Sequence, residues 1–265
     1  MSWLRPLGKT GLQVSALGLG TVKLGREQGV KYPGAYTLPD ERSASRLLRR
    51  AQELGITLLD TAPAYGCSEQ RLGRLLTGQR QRWVICSKVG EEFRDNQSHF
   101  DFSPEHTRLS VLRSLRRLRT DVLDIVLVHS DGNDLEIIRR LGTLQALAQL
   151  RAEGKVRAIG MSTKTVAGGL AAASACDVVM LTYNPGHRQE RPVLDACAEL
   201  GTGTLLKKVL GSGHLAAANT ASGPLACMEL AFSHPKVDIT FRGRNLPLKT
   251  GRSISWTPPV CRSWT

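Results

Sequence analysis

Asp60, Lys88 and His129 share a place in the sequence, because each ends an apolar run of strand length. Tyr65 follows the first of them in a short loop punctuated by proline and glycine. If the three runs are neighbouring parallel strands, about 5 Å apart, their carboxyl ends meet on one side of the fold. The three strand-end side chains and the loop tyrosine would then share one site.

These four side chains together can deliver a proton to a carbonyl oxygen. A tyrosine with an ordinary pKa of about 10 is a weak acid at neutral pH. We expect the ammonium of Lys88 to lower the pKa of Tyr65, and the carboxylate of Asp60 to hold Lys88 charged and oriented. His129 would donate a hydrogen bond to the substrate oxygen and fix its direction. The chemistry that uses this set is carbonyl reduction.

Each residue taken alone also has a structural interpretation. Strand-end Asp and Lys often form an ion pair, a lone His is more often a satisfied core residue, and a loop Tyr can pack on a rim. Four functional residue types at corresponding places in consecutive units are hard to obtain from packing needs alone. The combination therefore favours a catalytic site.

Eight apolar runs, separated by amphipathic helical patterns, predict the fold. The predicted strands are 15–20, 56–61, 83–88, 123–129, 156–162, 178–183, 204–208 and 237–241. The runs are continuous rather than alternating, as expected for parallel strands covered on both faces. Eight strand-helix repeats over about 250 residues predict a (β/α)8 barrel, with a doubly wound open sheet as the competitor.

Helices and loops complete the predicted barrel. The predicted helices are 39–54, 68–76, one that opens at 103–105, 134–153, 166–175, 192–200 and 224–232. Residues 4–14 predict a β-hairpin before the first barrel strand. The stretches 21–38 and 90–102 are expected to be loops that line the pocket. We predict a barrel domain over 1–240 and an atypical basic tail over 241–265 that need not be ordered.

Composition narrows the classes of partner. The chain has 265 residues and a net charge of +13, but aromatic residues make up only 5%. The basic residues are spread over predicted helix faces without interleaved aromatics, so we expect no nucleic-acid partner. An affinity for anionic small molecules is the milder interpretation of the charge.

The cysteines and the hydropathy pattern narrow the compartment. None of the six cysteines forms a CxxC pair, so we expect no metal site, and their scatter suits a reducing environment. No run reaches the length of a membrane helix, and residues 1–6 have no apolar signal core. We therefore expect a cytoplasmic protein without a membrane partner, and the sequence makes no prediction about oligomeric state.

Six motifs in order resemble the aldo-keto reductase superfamily, in particular bacterial members related to sugar and pyridoxal dehydrogenases. They are Leu17-Gly18-Leu19-Gly20-Thr21, Leu59-Asp60-Thr61-Ala62-Pro63-Ala64-Tyr65-Gly66, Ser87-Lys88, Val128-His129, Ile159-Gly160-Met161-Ser162 and Tyr183-Asn184-Pro185. The resemblance implies a (β/α)8 barrel and the catalytic tetrad Asp60, Tyr65, Lys88 and His129. It also implies reduction of an aldehyde or ketone, or oxidation of a sugar or alcohol, with NADPH or NADH as cofactor.

The resemblance also implies where the cofactor binds. Ser162 matches the family's contact to the nicotinamide amide, and Thr163 stands where an Asn is usual. Lys207 replaces the usual stacking Tyr; its ammonium cannot stack but could reach a pyrophosphate. The full set of implied cofactor-binding residues is Gly20, Thr21, Asp60, Ser162, Thr163, Lys207, Lys208, Leu210 and Ser212.

The end of the chain departs from the family pattern. Residues 239–265 contain five basic residues and no acidic residue, and prolines interrupt any helix of ordinary length. One interpretation is an adenosine-phosphate clamp of another design. The other, which the abrupt change near Ile239 favours, is a changed reading frame or gene end, leaving a barrel without its last helix. A non-catalytic cofactor-binding or partner-binding barrel, or an inactive truncated homologue, is accordingly the alternative to an enzyme.

Overall fold

Eight parallel strands close into a barrel in the computed structural model, which describes residues 4–30, 32, 34–217, 224–233 and 239–242. The strands in chain order are β1 (Leu4–Pro6), β2 (Gln13–Ser15), β3 (Leu17–Gly20), β4 (Leu58–Asp60), β5 (Val84–Val89), β6 (Glu91–Arg94), β7 (Gln97–Phe100), β8 (Leu123–His129), β9 (Val156–Ser162), β10 (Val178–Thr182), β11 (Gly203–Lys207) and β12 (Ile239–Arg242). β1 pairs with β2, and β6 with β7, in antiparallel hairpins. The other eight follow one another around the barrel, and β12 closes it by pairing with β3. The predicted (β/α)8 barrel is confirmed.

Helices cover the outside of this barrel. They are α1 (Glu41–Glu53), α2 (Ser68–Leu75), α3 (Pro104–Leu118), α4 (Asp134–Arg139), α5 (Thr143–Ala152), α6 (Val166–Ala175), α7 (Arg191–Leu200), α8 (His214–Ala217) and α9 (Pro224–Ser233). Leu48, Leu72 and Val111 belong to one buried core with the strand residues Ile85 and Val126. Burying each such side chain contributes about 1.5–3 kcal/mol. None of the helices described here is long and apolar enough to cross a bilayer.

Two of the helices begin where the sequence places capping residues. The side chain of Asp40 accepts a hydrogen bond from the Ser43 amide at 2.6 Å and caps α1. Ser103 caps α3 by accepting from the His106 amide at 3.2 Å, and Pro104 occupies the first helical position. α3 ends at Leu118, and the capping residue Arg119 adopts a left-handed conformation with φ 54°.

A second buried core fills the interior of the barrel. Leu58, Cys86 and Ile125 belong to it, on three neighbouring strands, and Leu7 and Val14 of the N-terminal hairpin pack against them. The predicted hairpin is therefore present, and its side chains contact the interior core. These apolar side chains form the floor of the barrel at the hairpin end, and the polar side chains of the three strand ends lie at the opposite end.

Strand periodicity places the ionisable residues above that floor. Side chains alternate between the two faces of a strand, so residues two apart share a face. Asp60 follows the inward-facing Leu58 by two residues, Lys88 follows Cys86, and His129 follows Leu127. All three therefore point into the barrel at the carboxyl ends of adjacent strands, and Asp60 is in register with Cys86.

The predicted helix 134–153 is wrong in its continuity. The chain forms α4 and α5 instead, with a break before Thr143. Gly142 has φ 75°, a left-handed conformation that an uninterrupted helix excludes. Apolar periodicity runs on through the break, which is why the two helices were predicted as one.

The expected loop at 90–102 contains a hairpin. β6 and β7 are joined by Asp95 and Asn96, whose φ values of 51° and 61° suit a tight two-residue turn. A 3-10 turn at Gly211–Gly213 and helix α8 also follow β11, where no element was predicted. Of the predicted tail, residues 243–265 lie outside the described residues.

Candidate active site

Asp60 and Lys88 form a buried ion pair at the carboxyl ends of β4 and β5. The Nζ of Lys88 pairs with Oδ1 of Asp60 and donates to the Thr61 carbonyl at 2.9 Å. Their side chains are only 1% and 7% exposed, so water does not screen the pair. Burial is the largest single effect and disfavours the ammonium, but the charge of Asp60 together with Tyr65 and Cys86 outweighs it and raises the pKa of Lys88. Lys88 therefore stays a cation at physiological pH.

Tyr65 completes this group from the loop after β4. Its hydroxyl lies 3.2 Å from Lys88 Nζ and donates to Asp60 Oδ2 at 3.2 Å. The 3-10 turn Pro63–Tyr65 brings it there, and Gly66 follows with φ 60°. A Cβ on Gly66 would lie 2.1 Å from the Gly25 carbonyl oxygen. The loop thus approaches the backbone after β3 so closely that only glycine fits.

The expected lowering of the tyrosine pKa is wrong for this arrangement. Burial of the phenol, followed by the charge of Asp60, raises the pKa of Tyr65. The ammonium of Lys88 acts in the opposite direction and is outweighed. Tyr65 therefore carries its proton at neutral pH, and Lys88 lowers the free energy of the phenolate without making that form predominant.

His129 lies at the end of β8 beside Tyr65, with the two ring centroids 6.4 Å apart and the rings nearly perpendicular. Its Nδ1 lies 2.8 Å from Oε2 of Glu91, although the N–H is not well aligned with the oxygen, so the contact is short but bent. Burial lowers the pKa of His129, and Glu91 opposes this effect. The imidazole is therefore neutral at physiological pH.

Three of the implied cofactor contacts, Ser162, Thr163 and Lys207, lie together at the carboxyl ends of β9 and β11. Lys207 Nζ donates to Ser162 Oγ and to the Thr163 carbonyl, both at 2.8 Å. The Thr163 hydroxyl is buried and has no hydrogen-bond partner among the residues that the structure describes. Burial, followed by the charge of Lys208, lowers the pKa of Lys207 to about 7.

The other implied cofactor contacts are more dispersed. The Thr21 hydroxyl donates to the Asp60 carbonyl at 2.8 Å and accepts from Ser68. Its hydrogen bonds therefore hold the main chain at Asp60 in place. Gly20 ends β3 next to Asp60 in the barrel register. The remaining three implied contacts follow β11 in the chain. They are the exposed Lys208, the buried Leu210, and Ser212, which has φ 57° within its 3-10 turn.

Several residues that the sequence did not single out also lie near the site. Glu91 contacts His129, and the guanidinium of Arg26 donates to the Ala64 carbonyl at 3.0 Å in the loop that carries Tyr65. The ammonium of Lys23 lies 4.2 Å and 4.4 Å from the ring centroids of Tyr32 and Tyr36. These residues belong to loops and hairpins, whose conformation cannot be predicted from hydrophobic periodicity.

A separate cleft of about 240 Å³ lies at the opposite end of the barrel. It is lined by the hairpin residues Lys9 and Thr10 and by residues before β10 and β11, such as Asp177 and Thr202. Catalytic residues of such barrels lie at the carboxyl ends of the strands, so we place the active site at Tyr65 and not in this cleft.

Comparison with known proteins agrees with this fold. The sequence profile of the Aldo/keto reductase family matches residues 16–234. D-threo-aldose 1-dehydrogenase from a Pseudomonas species is 31% identical over 235 residues, covering 78% of this chain and 69% of that protein. L-galactose dehydrogenase from Arabidopsis thaliana is 39% identical over 166 residues, covering 60% of this chain and 48% of that protein. The chain thus spans about half the length of that relative and of aldo-keto reductase YhdN from Bacillus subtilis.

Solved structures show the same fold. A crystal structure from Pseudomonas aeruginosa, described as an aldo-keto reductase, is 52% identical with a TM-score of 0.82, covering 91% of this chain and 88% of its own. The holo form of an aldo-keto reductase from Bacillus halodurans is 26% identical with a TM-score of 0.77, covering 92% and 86%. The chain belongs to the aldo/keto reductase family.

Proposed function

We propose that this protein is an NAD(P)H-dependent oxidoreductase that interconverts carbonyl and alcohol groups of small aldehydes, ketones or sugars. One observation carries the proposal: the Tyr65 hydroxyl lies 3.2 Å from both Lys88 Nζ and Asp60 Oδ2 in a buried site. A phenol held by a cation and a carboxylate at the end of a barrel suits proton transfer to a carbonyl oxygen. The sugar dehydrogenases among the relatives support the substrate class.

The side chains on β9 and β11 fit a nicotinamide amide. The buried Thr163 hydroxyl, which has no partner in the described part of the chain, and the Ser162 hydroxyl offer hydrogen bonds to a carboxamide. Reduced nicotinamide, when bound, supplies the hydride for the reaction. Lys207 already contacts Ser162 and Thr163, so we expect it to share or yield these hydrogen bonds when the cofactor binds.

The roles of the tetrad follow from its contacts. Tyr65 keeps its proton until the substrate oxygen gains negative charge, and then donates it. Lys88 stabilises the resulting phenolate, and Asp60 keeps Lys88 charged and fixed in direction. In the oxidising direction the same phenolate accepts the proton of the alcohol.

Replacement of Tyr65 by phenylalanine tests this proposal. Tyr65→Phe should lower turnover with NADPH or NADH and simple aldehydes by about 10²–10⁴-fold, because it removes the proton donor. Cofactor binding, followed by fluorescence titration, should be retained. Tyr36→Phe is the matched control, since the Tyr36 hydroxyl donates to the Arg26 carbonyl outside the tetrad.

Two outcomes contradict the proposal. Unchanged turnover in Tyr65→Phe would exclude Tyr65 as the proton donor. Wild-type protein that binds cofactor without turning over any aldehyde or sugar would support the alternative of a non-catalytic barrel.

A further inference from the structure

Glu91 is held in place by the hairpin that follows β5. It is the first residue of β6, and its Oε1 accepts a hydrogen bond from Ser98 Oγ on β7 at 2.6 Å. Arg26 approaches the same oxygen at 3.9 Å. With Oε1 engaged, Oε2 is left to face His129 Nδ1 at 2.8 Å. The carboxylate is therefore oriented before any ligand arrives.

The other groups around His129 do not favour a proton on its ring. Lys88 on β5 and Lys207 on β11 both act against the imidazolium, as does burial. Tyr65 presents its ring edge-on to His129. Within the described residues, Glu91 is the acidic group that opposes these effects at close range.

The short contact determines which ring nitrogen carries the proton. A carboxylate oxygen 2.8 Å from Nδ1 repels a lone pair on that nitrogen and attracts an N–H there, even where the contact is bent. In the neutral ring the proton therefore lies on Nδ1, and Nε2 carries a lone pair. A lone pair cannot donate to a carbonyl oxygen; Nε2 gains a proton to donate only when the whole ring becomes an imidazolium.

We propose that Glu91 is a positioning residue for His129, which fixes the proton on Nδ1 so that Nε2 donates to a substrate carbonyl only when the ring is protonated. Carbonyl reduction is then coupled to the protonation of His129, and the rate of reduction falls as the pH rises and the ring loses its charge. This inference rests on the proposed function for its kinetic consequence, whereas the position of the ring proton stands independently of it.

The first test reads the ring proton directly. Two-dimensional ¹⁵N–¹H spectra of protein labelled at histidine distinguish the two neutral tautomers, and His129→Asn identifies the signal. We expect the Nδ1–H tautomer in the wild type and a shift toward Nε2–H in Glu91→Ala. In Glu91→Gln the pKa of His129 should fall, because an opposite charge has been removed.

The second test reads the pH profile of reduction from about pH 5 to about pH 8. The wild-type rate should follow the protonated fraction of His129, and Glu91→Ala should lose this dependence because Nε2–H is then available in the neutral ring. Glu92→Gln is the matched control, since Glu92 is the next residue of β6 and pairs with Arg113 instead. It should keep both the tautomer and the pH profile of the wild type.

The outcomes separate this inference from the proposed function. An Nε2–H tautomer in the wild type, or an unchanged tautomer and pKa in both Glu91 variants, overturns the inference even if the enzyme is active. An Nδ1–H tautomer that Glu91→Ala abolishes supports it even in a protein without turnover.

Discussion

Replacing Lys88 by methionine should separate the structural from the catalytic role of the buried ion pair. Lys88 is 1% exposed and contacts Asp60, the Thr61 carbonyl and Tyr65. Its removal leaves the Asp60 carboxylate buried, with the Tyr65 hydroxyl as its remaining contact in this group. Removing one partner of a buried pair costs about 3–5 kcal/mol, a third or more of the stability of many domains.

The double variant Asp60→Asn with Lys88→Met should recover part of this loss. Without the carboxylate there is no uncompensated charge, so the cost due to Asp60 disappears. The Thr61 carbonyl still lacks its donor, which costs about 1–3 kcal/mol. We therefore expect the double variant to be more stable than Lys88→Met by about 2 kcal/mol, and to be as inactive, because nothing stabilises the Tyr65 phenolate.

Urea denaturation of the wild type, both single variants and the double variant gives the coupling energy. The pH dependence supplies a check on the cause. An unpaired buried Asp60 in Lys88→Met has a raised pKa, so the folded state takes up a proton as the pH falls and the stability deficit shrinks. A double variant less stable than Lys88→Met, or a deficit that grows toward low pH, would refute the reasoning.

Three further predictions concern residues around the tetrad. Because Lys207 has a pKa of about 7 in the folded state against 10.5 in the unfolded chain, the free energy of unfolding should rise with pH between these values. Urea denaturation of Lys207→Met should show a smaller rise. An equal dependence of unfolding free energy on pH in the variant and the wild type would contradict this prediction. Gly66→Ala should lower the free energy of unfolding by more than about 1 kcal/mol and reduce turnover. Gly78→Ala is the control, because Gly78 has a similar φ of 74° but open space around it, and it should keep activity. Equal loss of activity in the two variants would contradict this prediction. Arg117→Met should cost about 1.5–3 kcal/mol in thermal unfolding, because Arg117 Nη1 lies 3.3 Å from the fully buried carboxylate of Glu69; a change below the error of measurement counts against that contact.

The barrel and its reactive strand ends could be predicted because both depend on periodicity. Apolar runs of four to seven residues fixed the eight strands, and the predicted bounds of 123–129 and 156–162 agree with β8 and β9. When the strands are parallel neighbours, a strand-end residue that follows an inward-facing core residue by two positions also faces the interior, at the carboxyl end of the barrel. Asp60 and Lys88 satisfied this rule, and their contact is the strongest feature of the site.

The departures occur where the chain stops being periodic. Asp95 and Asn96 carry a recognisable turn signal, but β7 is exposed along its length and has no apolar alternation to mark it as a strand. Gly142 breaks a helix whose apolar pattern continues on both sides. The pKa of Tyr65 was misjudged because sequence order gives neighbours but not the depth of burial, and burial is the larger effect here.

The hairpin β6–β7 shows how these two kinds of information combine in the function. The barrel strands place Lys88 and His129 at fixed positions, which any member built on the same strands would share. Glu91 reaches His129 only because the chain turns back immediately after β5, and Ser98 on the returning strand holds its carboxylate. In the proposed mechanism the barrel supplies the reacting groups, and an aperiodic segment of about ten residues sets the protonation of one of them. Substitutions in this hairpin should accordingly change the pH dependence of the reaction while leaving the stability of the barrel nearly unchanged.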